Sequence, residues 1–118
     1  MRDVIAAPAG AVVVHCQVGK DRTGLAVALL LSAVGVTDDA IAADYALPAG
    51  YLRPYLNYRR SLGAAPDSEP ANGMTSPPET MLALLADLRE SRGGAATYLR
   101  AGGLTREELD TLRRRLVG

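Results

Sequence analysis

Ala11-Val12-Val13-Val14-His15-Cys16-Gln17-Val18-Gly19-Lys20-Asp21-Arg22-Thr23-Gly24 is the stretch on which the reading of this chain turns. Its first five residues are apolar on both alternations and mostly β-branched, the pattern of a strand (about 11–15) buried on both faces of a sheet. Leu25 to Val34 is apolar almost throughout and is stopped by Gly35, so it reads as a buried helix. The intervening loop therefore runs from the C-terminal end of a strand to the N-terminus of a helix. A loop in that place turns its backbone N–H groups inward and forms a ready anion site. Gly19 and Gly24 allow the tight backbone such a cradle needs. Arg22 adds a planar fork that holds two oxygens of one anion. In the same field the Cys16 thiol gives up its proton readily, which makes it a candidate nucleophile for in-line attack on phosphorus.

Composition points to the same place. The chain has 118 residues and holds one histidine, one cysteine and one lysine against twelve arginines. The three singular residues are His15, Cys16 and Lys20. One cysteine and one histidine make neither an internal disulfide nor a zinc site, and no metal or organic cofactor is implied, because a thiolate, an arginine and backbone dipoles do the work of the loop. Thirteen basic side chains balance thirteen acidic ones, so the basic footprint that nucleic acid requires is missing. The longest apolar run, Leu25 to Val36, is too short to span a bilayer, and Ala11–Val14 is too short for a signal-peptide core. A soluble protein of the cytoplasm is expected.

The remainder reads as helices. Thr37 is a good N-cap with Val36 and Ile41 as a staple, opening a helix to about Leu47. Tyr51, Tyr55 and Tyr58 recur at helical spacing with Arg53, Arg59 and Arg60 between them, and Pro48 and Pro54 predict a break into short pieces. That stretch reads as packing plus a solvated face, or as part of a lid with the following segment. Residues 61–76 have the composition of a flexible loop. Ser76, Pro77 and Glu79 predict a capping box, and Met81, Leu84, Leu85 and Leu88 a helix ended by Gly93-Gly94. Ala95 to Ala101 is a short helix, and Thr105 with Glu108 caps a last one running to about Val117. One strand and about six helices in a single domain, 1–118, is the expectation.

His15-Cys16-x-x-Gly19-Lys20-Asp21-Arg22-Thr23-Gly24 resembles the signature loop of the Cys-based protein-tyrosine phosphatase superfamily, in the form found in its bacterial atypical tyrosine/lipid phosphatase branch. Weaker similarity continues through Gly35-Val36-Thr37, Asp44-Tyr45 and the ending Tyr98-Leu99-Arg100-Ala101-Gly102 to Leu116. The resemblance implies Cys16 as nucleophile, Arg22 as phosphate clamp, and a cradle lined by Gln17, Val18, Gly19, Lys20, Asp21 and Arg22. It implies that Thr23 donates its hydroxyl to the sulfur and that His15 organises the hydrogen bonds around it. His15 reads equally well as a satisfied histidine at a strand end. Asp21 is implied as the general acid, over an aspartate that merely pairs with an arginine, and Lys20 as a contact for a second phosphate or an acidic head group.

The resemblance further implies an α/β phosphatase-like fold and a phosphomonoester hydrolase, acting on phosphotyrosine in proteins, with phosphoserine, phosphothreonine or phosphoinositides as further substrates. Only 15 residues precede Cys16, whereas members of the superfamily have several strands there. The expectation is thus a fold truncated at its N-terminus, whose exposed sheet edge is covered by preceding polypeptide or in a homodimer. A different class stands beside the enzyme: a catalytically impaired remnant that keeps the cradle as a phosphate-binding module. A thiol redox protein is the poorer reading, since no second cysteine resolves a disulfide.

Overall fold

The computed structural model describes residues 1–64 and 75–118, and among these it forms six helices. They are α1 (Arg2–Ala6), α2 (Asp21–Ala33), α3 (Asp38–Ser61), α4 (Pro78–Arg92), α5 (Ala95–Ala101) and α6 (Arg106–Val117). The sequence positions of their apolar residues explain the packing. Helix α2 is apolar on more than one side, and it serves two cores. Ala28 meets Ile41 and Ala42 of α3 and Met81 and Leu85 of α4. Leu30, with Val34 just beyond the helix, meets Leu112 of α6, and Met1, Val4 and Ile5 close that cluster from the N-terminal side. A helix buried on opposite faces is held from both, which fixes where its N-terminus, and so the signature loop, sits.

Several expected caps form. The Thr37 hydroxyl accepts from the Ala40 N–H at 3.4 Å. Thr105 and Glu108 make the reciprocal capping box, with the Glu108 carboxylate accepting from the Thr105 N–H at 2.8 Å and the Thr105 hydroxyl from the Glu108 N–H at 3.1 Å. Helix α4 ends on Gly93 in the left-handed region at φ 76°, a conformation that favours glycine.

Four expectations are corrected. The buried strand at 11–15 is absent: the segment has no regular structure, and Val13 is 83% exposed. A strand needs hydrogen-bonded neighbours, and none exists among the described residues. The nearest anchor is Arg115, whose guanidinium donates to the carbonyls of Ala7, Pro8 and Gly10 at 2.8, 2.7 and 3.3 Å. The described residues are therefore helical, and the α/β architecture with its sheet is not seen in them. The break expected at Pro48 and Pro54 does not occur, since α3 is one helix of 24 residues containing both prolines. Packing outweighs the two missing N–H donors: Ile41, Ala42 and Leu56 are buried along its length, the last beyond Pro54.

The capping box at Ser76 does not form either. Helix α4 starts at Pro78 without a side-chain cap, because Ser76 is 3% exposed and its hydroxyl donates to the Ala46 carbonyl of α3 at 3.3 Å. Finally, α1 was not legible. Its five residues carry no cap, and a helix that short holds only through contacts such as Arg2 to Glu108 (2.9 Å) and to the Gly103 carbonyl (2.6 Å). The flexible loop expected at 61–76 falls mostly on 65–74, outside the described residues. Ser61 ends α3.

Candidate active site

The candidate site is built on the N-terminus of α2. Lys20 is the N-cap residue, and Asp21, Arg22 and Thr23 form the first turn. The first bond of the helix runs from the Gly24 N–H to the Lys20 carbonyl at 2.8 Å. The N–H groups before it have no intrahelical acceptor and face the loop. Gly19 has φ +77°, a conformation that a side chain resists, and it curls the backbone so that its own N–H donates to the Cys16 sulfur at 3.2 Å.

That sulfur is a depressed thiol. Cys16 is half-buried, and its pKa falls from 9.0 to about 6. The Thr23 hydroxyl is the largest cause, followed by the Thr23 backbone N–H. Burial opposes them, and the N–H groups of Gly19 and Val18 add to them. The Thr23 oxygen is buried and has no partner of regular hydrogen-bond geometry among the described residues. A hydroxyl proton rotates freely, so an otherwise unpartnered one turned toward the thiolate satisfies both groups. Thiolate is thus the dominant form near neutral pH.

Arg22 is exposed, on the first turn of α2. His15 is exposed, and its Nδ1 lies 3.4 Å from the Cys16 carbonyl, to which it donates in the tautomer that carries its proton on Nδ1. Gly24 is needed for a second reason besides backbone freedom. A Cβ on it would stand 2.8 Å from Tyr45 Cδ2, so its bareness lets the ring of α3 lie against the first turn of α2.

Lys20 departs from expectation. Its side chain is 1% exposed, with Nζ donating to Asp21 Oδ1 at 2.9 Å and to the Thr75 carbonyl at 2.7 Å. The structure therefore gathers the Gly19 N–H and the Thr23 hydroxyl about the Cys16 sulfur, places Asp21 and Arg22 on the first turn of the helix that follows, and turns the lysine inward. Thr75, Ser76 and Tyr45 support the site without having been singled out for it. Thr75 contributes a backbone carbonyl, which no side-chain pattern reveals. Among the described residues no group of three His, Cys, Asp or Glu side chains could hold a metal ion, and no helix is long and apolar enough to cross a membrane.

Cys16 and Arg22, six positions apart, thus lie on either side of a helix start whose first N–H groups have no intrahelical acceptor and can meet an anion. Comparison with known proteins gives the family. The model of the tyrosine phosphatase family matches residues 1–118, and the chain belongs to that family. It is 36% identical over 115 residues to a tyrosine-protein phosphatase of Nostoc commune, covering 91% of this chain and 39% of that protein. It is 33% identical over 124 residues to the triple specificity protein phosphatase PtpB of Mycobacterium tuberculosis, covering 91% of this chain and 44% of that protein. The chain thus spans less than half the length of these relatives. No solved structure matches it.

Proposed function

We propose that this chain hydrolyses phosphomonoesters through a cysteinyl-phosphate intermediate, with phosphotyrosine in proteins as its first substrate and phosphoserine, phosphothreonine or phosphoinositides as further ones. The observation that carries the reading is the Cys16 thiol, brought to about 6 by donors of its own loop at a helix N-terminus. Those donors serve phosphate oxygens as well as sulfur. In the first step the thiolate attacks phosphorus while Arg22 and the loop N–H groups hold the equatorial oxygens. The P–O bond to the leaving group breaks, and Asp21 gives that oxygen its proton. In the second step water attacks phosphorus, Asp21 takes the water's proton, and the S–P bond breaks to return thiolate and inorganic phosphate. Thr23 stabilises the departing sulfur. The relative's name, triple specificity, supports the breadth of substrates proposed.

The same reading makes Ala11–Val14 a strand wherever neighbouring strands are supplied. In support, its backbone is unpaired among the described residues, and the groove it borders, about 380 Å³, is lined by Val4, Val27, Leu30 and Leu116.

A second reading is favoured by that same unpaired segment. It leads straight into Cys16, and a cradle hung on unanchored backbone binds phosphate without holding the geometry that turnover needs. Hydrolysis of p-nitrophenyl phosphate by the wild type and by Cys16→Ser separates the two. Release of p-nitrophenol that disappears in Cys16→Ser establishes the enzyme. A folded wild type that binds tungstate but releases nothing leaves the binding module, and turnover retained by Cys16→Ser refutes the mechanism.

A further inference from the structure

We infer that Lys20 is a positioning residue: its buried ammonium fixes the Asp21 carboxylate at the head of α2 and ties the signature loop to the Thr75 carbonyl, instead of contacting the substrate's phosphate. The inference deepens the function proposed above and rests on it for the acid role of Asp21.

The side chain is 1% exposed and stands among the largest fully buried ones in the protein, beside Ile41 and Leu112. A buried ammonium persists only where its donors are matched. Two of its three N–H groups have short acceptors, Asp21 Oδ1 at 2.9 Å and the Thr75 carbonyl at 2.7 Å. Turning outward to a phosphate would break both bonds together.

The second acceptor gives the arrangement its reach. Thr75 lies 55 residues along the chain and is followed by Ser76, the other buried polar residue among those described, whose hydroxyl donates to the Ala46 carbonyl of α3 at 3.3 Å. The ammonium thus joins the loop to the lead-in to α4, and the Ser76 hydroxyl joins that lead-in to α3. With Oδ1 of Asp21 held by the lysine, Oδ2 is the oxygen left to carry a proton to the leaving group. Asp21 itself is an exposed residue on the first turn, and its neighbour's ammonium is its ion-pair partner. An exposed carboxylate without such a tether samples several rotamers, most of them unproductive for proton transfer.

Three measurements test this. The first needs no variant, because the chain has one lysine. An amine-acylating reagent with mass-spectrometric readout is expected to leave Lys20 unmodified in the folded protein, with or without tungstate, and to label it once denatured. Ready labelling that tungstate blocks places the ammonium in the cradle and overturns the inference.

The second is tungstate affinity by calorimetry. Lys20→Met is expected to keep it within about two-fold, and a loss of about ten-fold or more overturns the inference. Both of these read the lysine even in a protein that turns nothing over, so failure of the phosphatase reading remains distinguishable.

The third compares substrates. Lys20→Met is expected to lower kcat about ten-fold or more on phenyl phosphate, whose leaving group needs the acid, and far less on p-nitrophenyl phosphate, with KM little changed. That selective loss is expected to vanish when Asp21→Asn is already present. Equal losses on both substrates, or a rise in KM alone, contradict a role through Asp21.

Discussion

Replacing Thr23 by alanine removes one hydroxyl and leaves the signature backbone in place. That hydroxyl is the largest cause of the fall in the Cys16 pKa from 9.0 to about 6. The N–H groups of Thr23, Gly19 and Val18 survive the substitution, so the thiol does not return to 9.0 but settles between the two limits. A midpoint at least about one pH unit above that of the wild type is expected. The consequence near neutral pH is large, because a thiol titrating at about 6 is roughly nine-tenths thiolate there, against about one per cent at 9.0. The assay is the ultraviolet absorbance of the thiolate followed against pH. Iodoacetamide alkylation of the chain's single cysteine serves as a second readout. The wild-type midpoint is expected near 6 and that of Thr23→Ala clearly above it. An unchanged midpoint in the variant refutes the role given to the hydroxyl, and a wild-type midpoint near 9.0 refutes the cradle as a whole. Linkage fixes the sign for stability. The folded pKa lies below the unfolded one, so the ionised thiol stabilises the fold fully above about 9 and loses that contribution as pH falls through about 6.

Two predictions concern the frame that carries the loop. Gly24→Ala puts a Cβ 2.8 Å from Tyr45 Cδ2, and the overpacking is expected to destabilise by about 1–3 kcal/mol, less the roughly 1 kcal/mol by which alanine favours a helix. Urea unfolding measures it, and adding Tyr45→Ala should relieve it. A loss that persists unchanged in the double variant contradicts the contact. Leu112→Ala is expected to cost about 2–5 kcal/mol, because Leu112 is 0% exposed and joins α6 to Leu30 and Val34. A change in the denaturation midpoint equivalent to less than about 1 kcal/mol would mean that this cluster does not hold α2.

Where the deciding forces are local, the amino-acid sequence determined the outcome. The signature loop from Cys16 to Arg22, the glycine at 19 that must take a positive φ, the Thr105–Glu108 capping box and the Gly93 stop all depend on atoms a few residues apart. They were legible for that reason. Tertiary contacts decided the rest. Ala11–His15 has the composition of a strand, but a strand is completed by neighbours, and among the described residues no strand pairs with it. Two prolines predicted a break in α3, and packing against α4 kept it continuous across both. Ser76 looked like a cap and became a strut to Ala46. The resemblance implies that Lys20 contacts a second phosphate or an acidic head group. Only folding reveals that the carbonyl of Thr75, an atom without a sequence signature, draws it inward. Local bonds thus set the shape of the cradle, and burial and long-range hydrogen bonding set what surrounds it.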